Sequence, residues 1–122
     1  MTLTTIEIGN IVYSLITGIP VGISGLMTTL ANMAVYQVEN YTGEDISISA
    51  VAEMYQPATI NLTIAQVLGQ MEAQGIGTKE VRIGEISRTK GMVEGTSQNY
   101  KQLAYNQLAD LPKKVNYYQT YT

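Results

Sequence analysis

The chain has 122 residues, enough for one domain, with 45% apolar residues, 14% charged residues and a net charge of −3. The charged share is low against the roughly 25% of ordinary soluble domains, and a chain so short of charge suits surface covered by other subunits or by lipid. Cysteine and histidine are both absent, which excludes disulfides, thiolate–imidazole zinc sites and His- or Cys-dependent triads, and leaves carboxylate chemistry, a Ser–Lys pair or no chemistry.

Thr4-Thr5-Ile6-Glu7 has the form of a capping box, in which hydroxyl and carboxylate satisfy each other's orphan amides. Behind it Ile8, Ile11, Val12, Leu15 and Ile19 fall at helical spacing until Gly18 and Pro20 end the element. A second helix is predicted over 24–41, with Met27, Leu30, Ala34, Val38 and Tyr41 as its stripe and Gly43 as a left-handed cap.

Residues 8–38 hold no charged side chain, so a membrane span has to be weighed, because about 20 apolar residues cross a bilayer. Gly18, Pro20, Gly22 and Gly25 break the run, Asn and Thr dilute it, and no Lys or Arg flanks it. A signal peptide fits poorly, since the basic n-region is missing. Two apolar helices joined by a Gly/Pro turn are the better reading. A small membrane-associated protein, with 8–38 as an apolar hairpin or span, is the alternative.

Ser47 or Ser49 is expected to cap a short third helix presenting Val51, Ala52 and Tyr55, after which Pro57 restarts the chain. The fourth helix is the clearest: Ile60, Ile64, Val67, Leu68 and Met71 follow one face, and Gly75 stands where a C′ glycine belongs. The sequons at Asn40 and Asn61 read as chance matches without a secretory signal.

Gly75-Ile76-Gly77-Thr78-Lys79 has the look of a phosphate cradle. A Walker loop, however, follows a strand, opens a helix and ends in Lys-Ser/Thr, whereas here a helix precedes and the Thr-Lys order is reversed. Amides at a helix C-terminus face anions with the wrong dipole, so the stretch is read as a corner.

Beyond it the period changes. Val81 and Ile83 flank Arg82, and Gly84 interrupts before Ile86, which predicts a short strand with a bulge at the glycine. Gly91 and Gly95 are expected to make a turn, with Thr96 or Ser97 capping a last helix along Tyr100, Leu103, Ala104, Gln107, Leu108 and Leu111. Pro112 stops that helix, and 113–122 form a basic, tyrosine-rich tail without period.

The fold class is therefore mainly α: a small helical bundle (1–112) with a short β-strand or hairpin element and an extended C-terminal tail (113–122). Charge is unevenly divided along it. Residues 1–78 hold six acids and no base, −6, while 79–122 hold seven bases and four acids, +3. Such a dipolar chain suits contacts between unlike faces of neighbouring copies.

The close acid pairs, Glu44 with Asp45 and Glu80 with Glu85, lie in a turn and beside a strand, and Trp and Phe are both absent. A two-carboxylate hydrolase needs its acids facing across a cleft. No catalytic, cofactor or metal residue is assigned. In the tail, Tyr117, Tyr118 and Tyr121 beside Lys113 and Lys114 could stack on single-stranded nucleic acid. An interface anchor is the better reading at acidic pI, since tyrosine joins large contact area to a polar tip.

Two segments carry a family resemblance. Val38-Glu39-Asn40-Tyr41-Thr42-Gly43, closing an early helix, and Lys79-Glu80-Val81-Arg82-Ile83-Gly84-Glu85-Ile86-Ser87, after a later one, are similar to segments of the head–tail connector (adaptor, or head-completion) proteins of tailed viruses. The resemblance covers roughly 26–111. The apolar N-terminal region and the tail depart from the pattern.

The resemblance implies a structural neck protein of the virion, assembled in the host cytoplasm and not an enzyme. It implies self-association into a ring, usually dodecameric, between the portal protein and a downstream neck or tail-completion protein. DNA would pass through the lumen without specific binding, and no membrane is involved. Lys113, Lys114, Tyr117, Tyr118 and Tyr121 would dock on the portal, with Arg82, Arg88 and Lys90 contacting acidic neighbours.

Overall fold

The structure is a computed structural model that describes residues 1–73, 81–83, 86–88 and 90–111. It is mainly helical, as the periodicity predicts. Helix α1 (Thr5–Leu15) begins at the expected capping box: the Thr4 hydroxyl accepts from the Glu7 amide at 3.1 Å, and the Glu7 carboxylate accepts from the Thr4 amide at 3.0 Å. Ile16 and Thr17 then turn extended as β1 (Ile16–Thr17), before Gly18 at φ +95°.

The second expected helix forms, beginning three residues later than the pattern predicts. A single turn, α2 (Val21–Ser24), is followed by α3 (Met27–Thr42), because the chain leaves helical geometry at Leu26, φ −104° and ψ 4°. Helix α3 ends as expected on Gly43 at φ +74°, whose amide donates to the Glu39 carbonyl. That conformation costs an L-residue about 1–2 kcal/mol and glycine almost nothing.

The third helix shrinks to one 3-10 turn, Glu53–Tyr55. Val51, expected on its face, instead pairs backbone to backbone with Leu3 and is fully buried. Two-way bonding to the N-terminal segment satisfies its peptide groups better than a short helix would.

Helix α4 (Gln56–Ala73) is the hub, packing against α1, α3 and the last helix. Its expected stripe holds: Ile64, Val67, Leu68 and Met71 are buried and Ile60 joins the core from its margin. Gly75 lies outside the described residues.

Strands β2 (Val81–Ile83) and β3 (Ile86–Arg88) pair antiparallel, the hairpin form of the expected β element; Gly84, where the bulge is expected, lies outside the described residues. Strand β1 completes a small sheet in the order β1-β2-β3. Ile83 pairs with Ile16 and with Ile86, and Ile16 is a core residue, whereas Arg82 shares its row with Thr17 and Ser87.

Helix α5 (Lys90–Ala109) starts earlier than expected and runs through Gly91 and Gly95, so those glycines do not make the turn. Interior glycine costs about 1 kcal/mol relative to alanine, an amount that tertiary packing overrides. Ala104 and Leu108 of its stripe are buried, Tyr100 and Leu111 pack at the core margin, and Leu103 is exposed.

Two apolar clusters fill the bundle. One joins Val12, Ile23, Leu30, Val67 and Met71; the other joins Ile8, Val35, Val51, Leu62 and Leu108. The helices alternate in direction, so the molecule has two ends. At one lie Leu3, Gly43, the 44–55 connection and Leu111; at the other lie β1, the hairpin and the start of α5.

Candidate interaction surfaces

Arg82 in β2, Arg88 in β3 and Lys90 at the start of α5 are placed by their backbone at the hairpin end. Lys113, Lys114, Tyr117, Tyr118 and Tyr121 lie outside the described residues, but the described chain leaves toward them at Leu111, at the opposite end. The 20 residues of α5, about 30 Å of helix, separate Lys90 from the point where the described chain ends. The end from which the tail departs is acidic: Glu44, Asp45, Glu53 and Asp110 are there, and Glu53 takes the N-terminal ammonium at 3.3 Å.

Two further surfaces were not legible as sites. The first is a set of exposed apolar and tyrosine side chains on α1, α2 and α3 and at their junctions: Tyr13, Val21, Leu26, Met33 and Tyr36, Val21 at 88%, within the stretch 8–38 that has no charge. Asn10, Tyr13, Ser24 and Thr28 line one shallow hollow, which shows that the outer sides of α1 and the α2–α3 junction adjoin.

The second is a groove between α3 and α5, floored by α4. Leu62, Ala65 and Gln66 form the floor at its inner part, a hollow of about 130 Å³. Gln37 stands on one wall, and Ser97, Gln98 and Lys101 stand on the other. The groove continues past Gln37 into an open hollow of about 350 Å³ lined by Asn40, Tyr41 and Tyr105. Polar bonds hold its geometry: Gln66 Nε2 donates to Gln37 Oε1 at 3.2 Å, and the Ser97 hydroxyl donates to the Ala65 carbonyl at 3.1 Å. At its outer end the Tyr41 and Tyr105 rings meet, with centroids 5.1 Å apart at 40°.

In the sequence these glutamines fall between apolar positions and look like ordinary solvent-facing residues. The available signal was their neutrality, since α3 and α4 carry only Glu39 and Glu72 as charges.

Of the paired acids, Glu44 and Asp45 sit exposed in the connection after Gly43, and Glu80 and Glu85 lie outside the described residues. Among the described residues no group of three or more metal-ligating side chains comes together. No helix among them is long and apolar enough to cross a membrane. No family model, curated protein or solved structure matches the chain.

Proposed function

We propose that the chain is a structural neck component of a tailed virus particle, a ring-forming connector between the portal and the next neck or tail-completion protein. The observation that carries this reading is the set of exposed apolar and tyrosine side chains on α1, α2 and α3 and at their junctions. Exposed Tyr13, Val21, Leu26, Met33 and Tyr36, with no charge anywhere in 8–38, make a surface suited to contact between copies.

The two-ended layout supports the same reading. A ring presents one rim to each neighbour, and here the tail departs from one end while Arg82, Arg88 and Lys90 stand at the other. Residues 113–122 would dock on the portal, the tyrosines as anchors and Lys113 with Lys114 as charge partners.

The test is charge placed on that surface. Met33→Glu with Tyr36→Glu substitutes exposed positions, so the fold and its unfolding midpoint should hold while assembly is lost. If the doubly substituted protein still joined heads to tails in infected cells, that surface would not be the contact and the reading would fail.

A further inference from the structure

Asn32 of α3 carries an unpaired acceptor: its Oδ1 is buried and meets no hydrogen-bond donor. A carbonyl shut away from water without a donor costs free energy, and native chains rarely leave one so. Asn32 lies one turn beyond Thr28, which with Asn10, Tyr13 and Ser24 lines a hollow of about 310 Å³ where α1 meets the start of α3. Tyr36 follows one turn further on and is exposed. The seam around Asn32 is therefore polar, edged by tyrosine and without charge.

A second uncharged stripe runs along α5. Asn99, Leu103 and Asn106 recur at i, i+4 and i+7, and all three are exposed, Leu103 at 45%. They lie about 130° round the helix from Gln98, Lys101 and Tyr105, which line the groove against α3. Within one chain the stripe thus faces away from α3 and from Asn32.

We propose that the Asn32 seam of one copy receives the Asn99–Leu103–Asn106 stripe of the next, with the Asn32 and Asn99 side-chain amides paired across the contact. This pairing rests on the ring reading and names the two faces that meet. Three features select a second copy as the occupant. The first is the unpaired acceptor, since the stripe offers side-chain NH₂ donors. Turning the Asn32 carbonyl outward to meet one breaks no bond that it makes in its own chain.

The second is charge. Neither seam nor stripe carries any, so closing the contact strips no ion of its water. Leu103, exposed on an otherwise polar stripe, is covered against tyrosine. The third is placement. Seam and stripe are different surfaces turned apart, so each copy gives its stripe to one neighbour and its seam to the other. Repeating such a contact closes a ring where the rotation allows, whereas a face meeting its own image stops at two.

The experiment uses the full chain, which has no cysteine, with its cognate portal protein present. Asn32→Cys and Asn99→Cys proteins are prepared separately, mixed and treated with a short two-headed thiol reagent. The expected product is a covalent pair from the mixture and little from either protein alone. Chains carrying both substitutions should give a covalent ladder that ends at the copy number found by native mass spectrometry. Lys101→Cys in place of Asn99→Cys should lose the product, because Lys101 faces the groove of its own chain. Leu103→Glu, an exposed substitution that should leave the unfolding midpoint in place, should lose it too. Should Asn32→Cys itself prevent assembly, Thr28→Cys, exposed and one turn away, takes its place.

Asn32→Cys joining to itself would overturn the proposal, because the seam would then meet its own image. So would a closed multimer that yields no product between seam and stripe, and that result would leave the ring reading standing. A chain that forms no multimer even with the portal would end both.

Discussion

The Asn61 side chain donates from Nδ2 to Oε1 of Gln107 at 2.8 Å, joining α4 to α5 across 46 residues of sequence. This bond explains why a glutamine stands in the otherwise apolar stripe of α5: at that position α5 faces an amide on α4. Both groups are partly buried, so removing one partner leaves the other short of a bond where water is scarce. Asn61→Ala and Gln107→Ala should each destabilise the fold by about 1 kcal/mol. The pair Asn61→Leu with Gln107→Leu should recover most of that, and urea midpoints for the four proteins provide the cycle.

Two helix glycines should respond in opposite senses to alanine. A methyl group at Gly9 would meet the Met27 backbone carbon, Cβ and oxygen at 3.3 Å, so α1 would have to move off the start of α3. Gly9→Ala should therefore cost about 1–3 kcal/mol as overpacking, more than its gain in helix propensity. At Gly69 the nearest atom is the Ser97 hydroxyl at 3.9 Å, an ordinary contact. Gly69→Ala should stabilise by up to about 1 kcal/mol, and the two thermal midpoints should fall on either side of the parent's.

The helix caps offer a separate test of how the ends are held. Thr4→Ala removes the acceptor for the Glu7 amide and should cost about 1 kcal/mol. Gly43→Ala forces a side chain to φ +74° and should cost about 1–2 kcal/mol. Guanidinium unfolding of the single and double variants should show the costs adding, since the caps lie on different helices.

These same features divide what can be read in the residues from what cannot. The Thr4–Glu7 box, the Gly43 cap and the α4 stripe are local: each depends on residues within a few positions, and each stands where the pattern puts it. Strand β1 is not local. Ile16-Thr17 is two residues long and becomes a strand only because Ile83 and Arg82 come back to pair with it. Val51 was drawn from a helix into a bridge by Leu3 for the same reason.

Gly91 and Gly95 show the converse, a local turn signal overruled by a helix that continues through it. The groove was invisible because Gln37 and Gln66 acquire meaning only when α3 and α4 set them 3.2 Å apart.

Tyr55 makes stability depend on pH in the alkaline range. Burial, with the negative charge of Glu44 adding to it, pushes its phenol above the ordinary value of 10.0. A phenol held protonated in the folded state contributes stability that is full below pH 10.0 and is lost as pH rises through the raised folded value. The stability difference between the parent and Tyr55→Phe should therefore be flat up to about pH 9 and shift against the parent above pH 10. Glu44→Gln should reduce part of that shift and leave the larger, burial-driven part. Urea midpoints measured at a series of alkaline pH values provide the comparison.

Native mass spectrometry of the purified chain, alone and with its cognate portal protein, tests the connector account most directly. A ring component should give one closed multimer of fixed copy number, either by itself or once the portal is added, and Met33→Glu with Tyr36→Glu should abolish it. A chain that stays single at every concentration with the portal present, or that remains in solution only in detergent or lipid, would contradict the account.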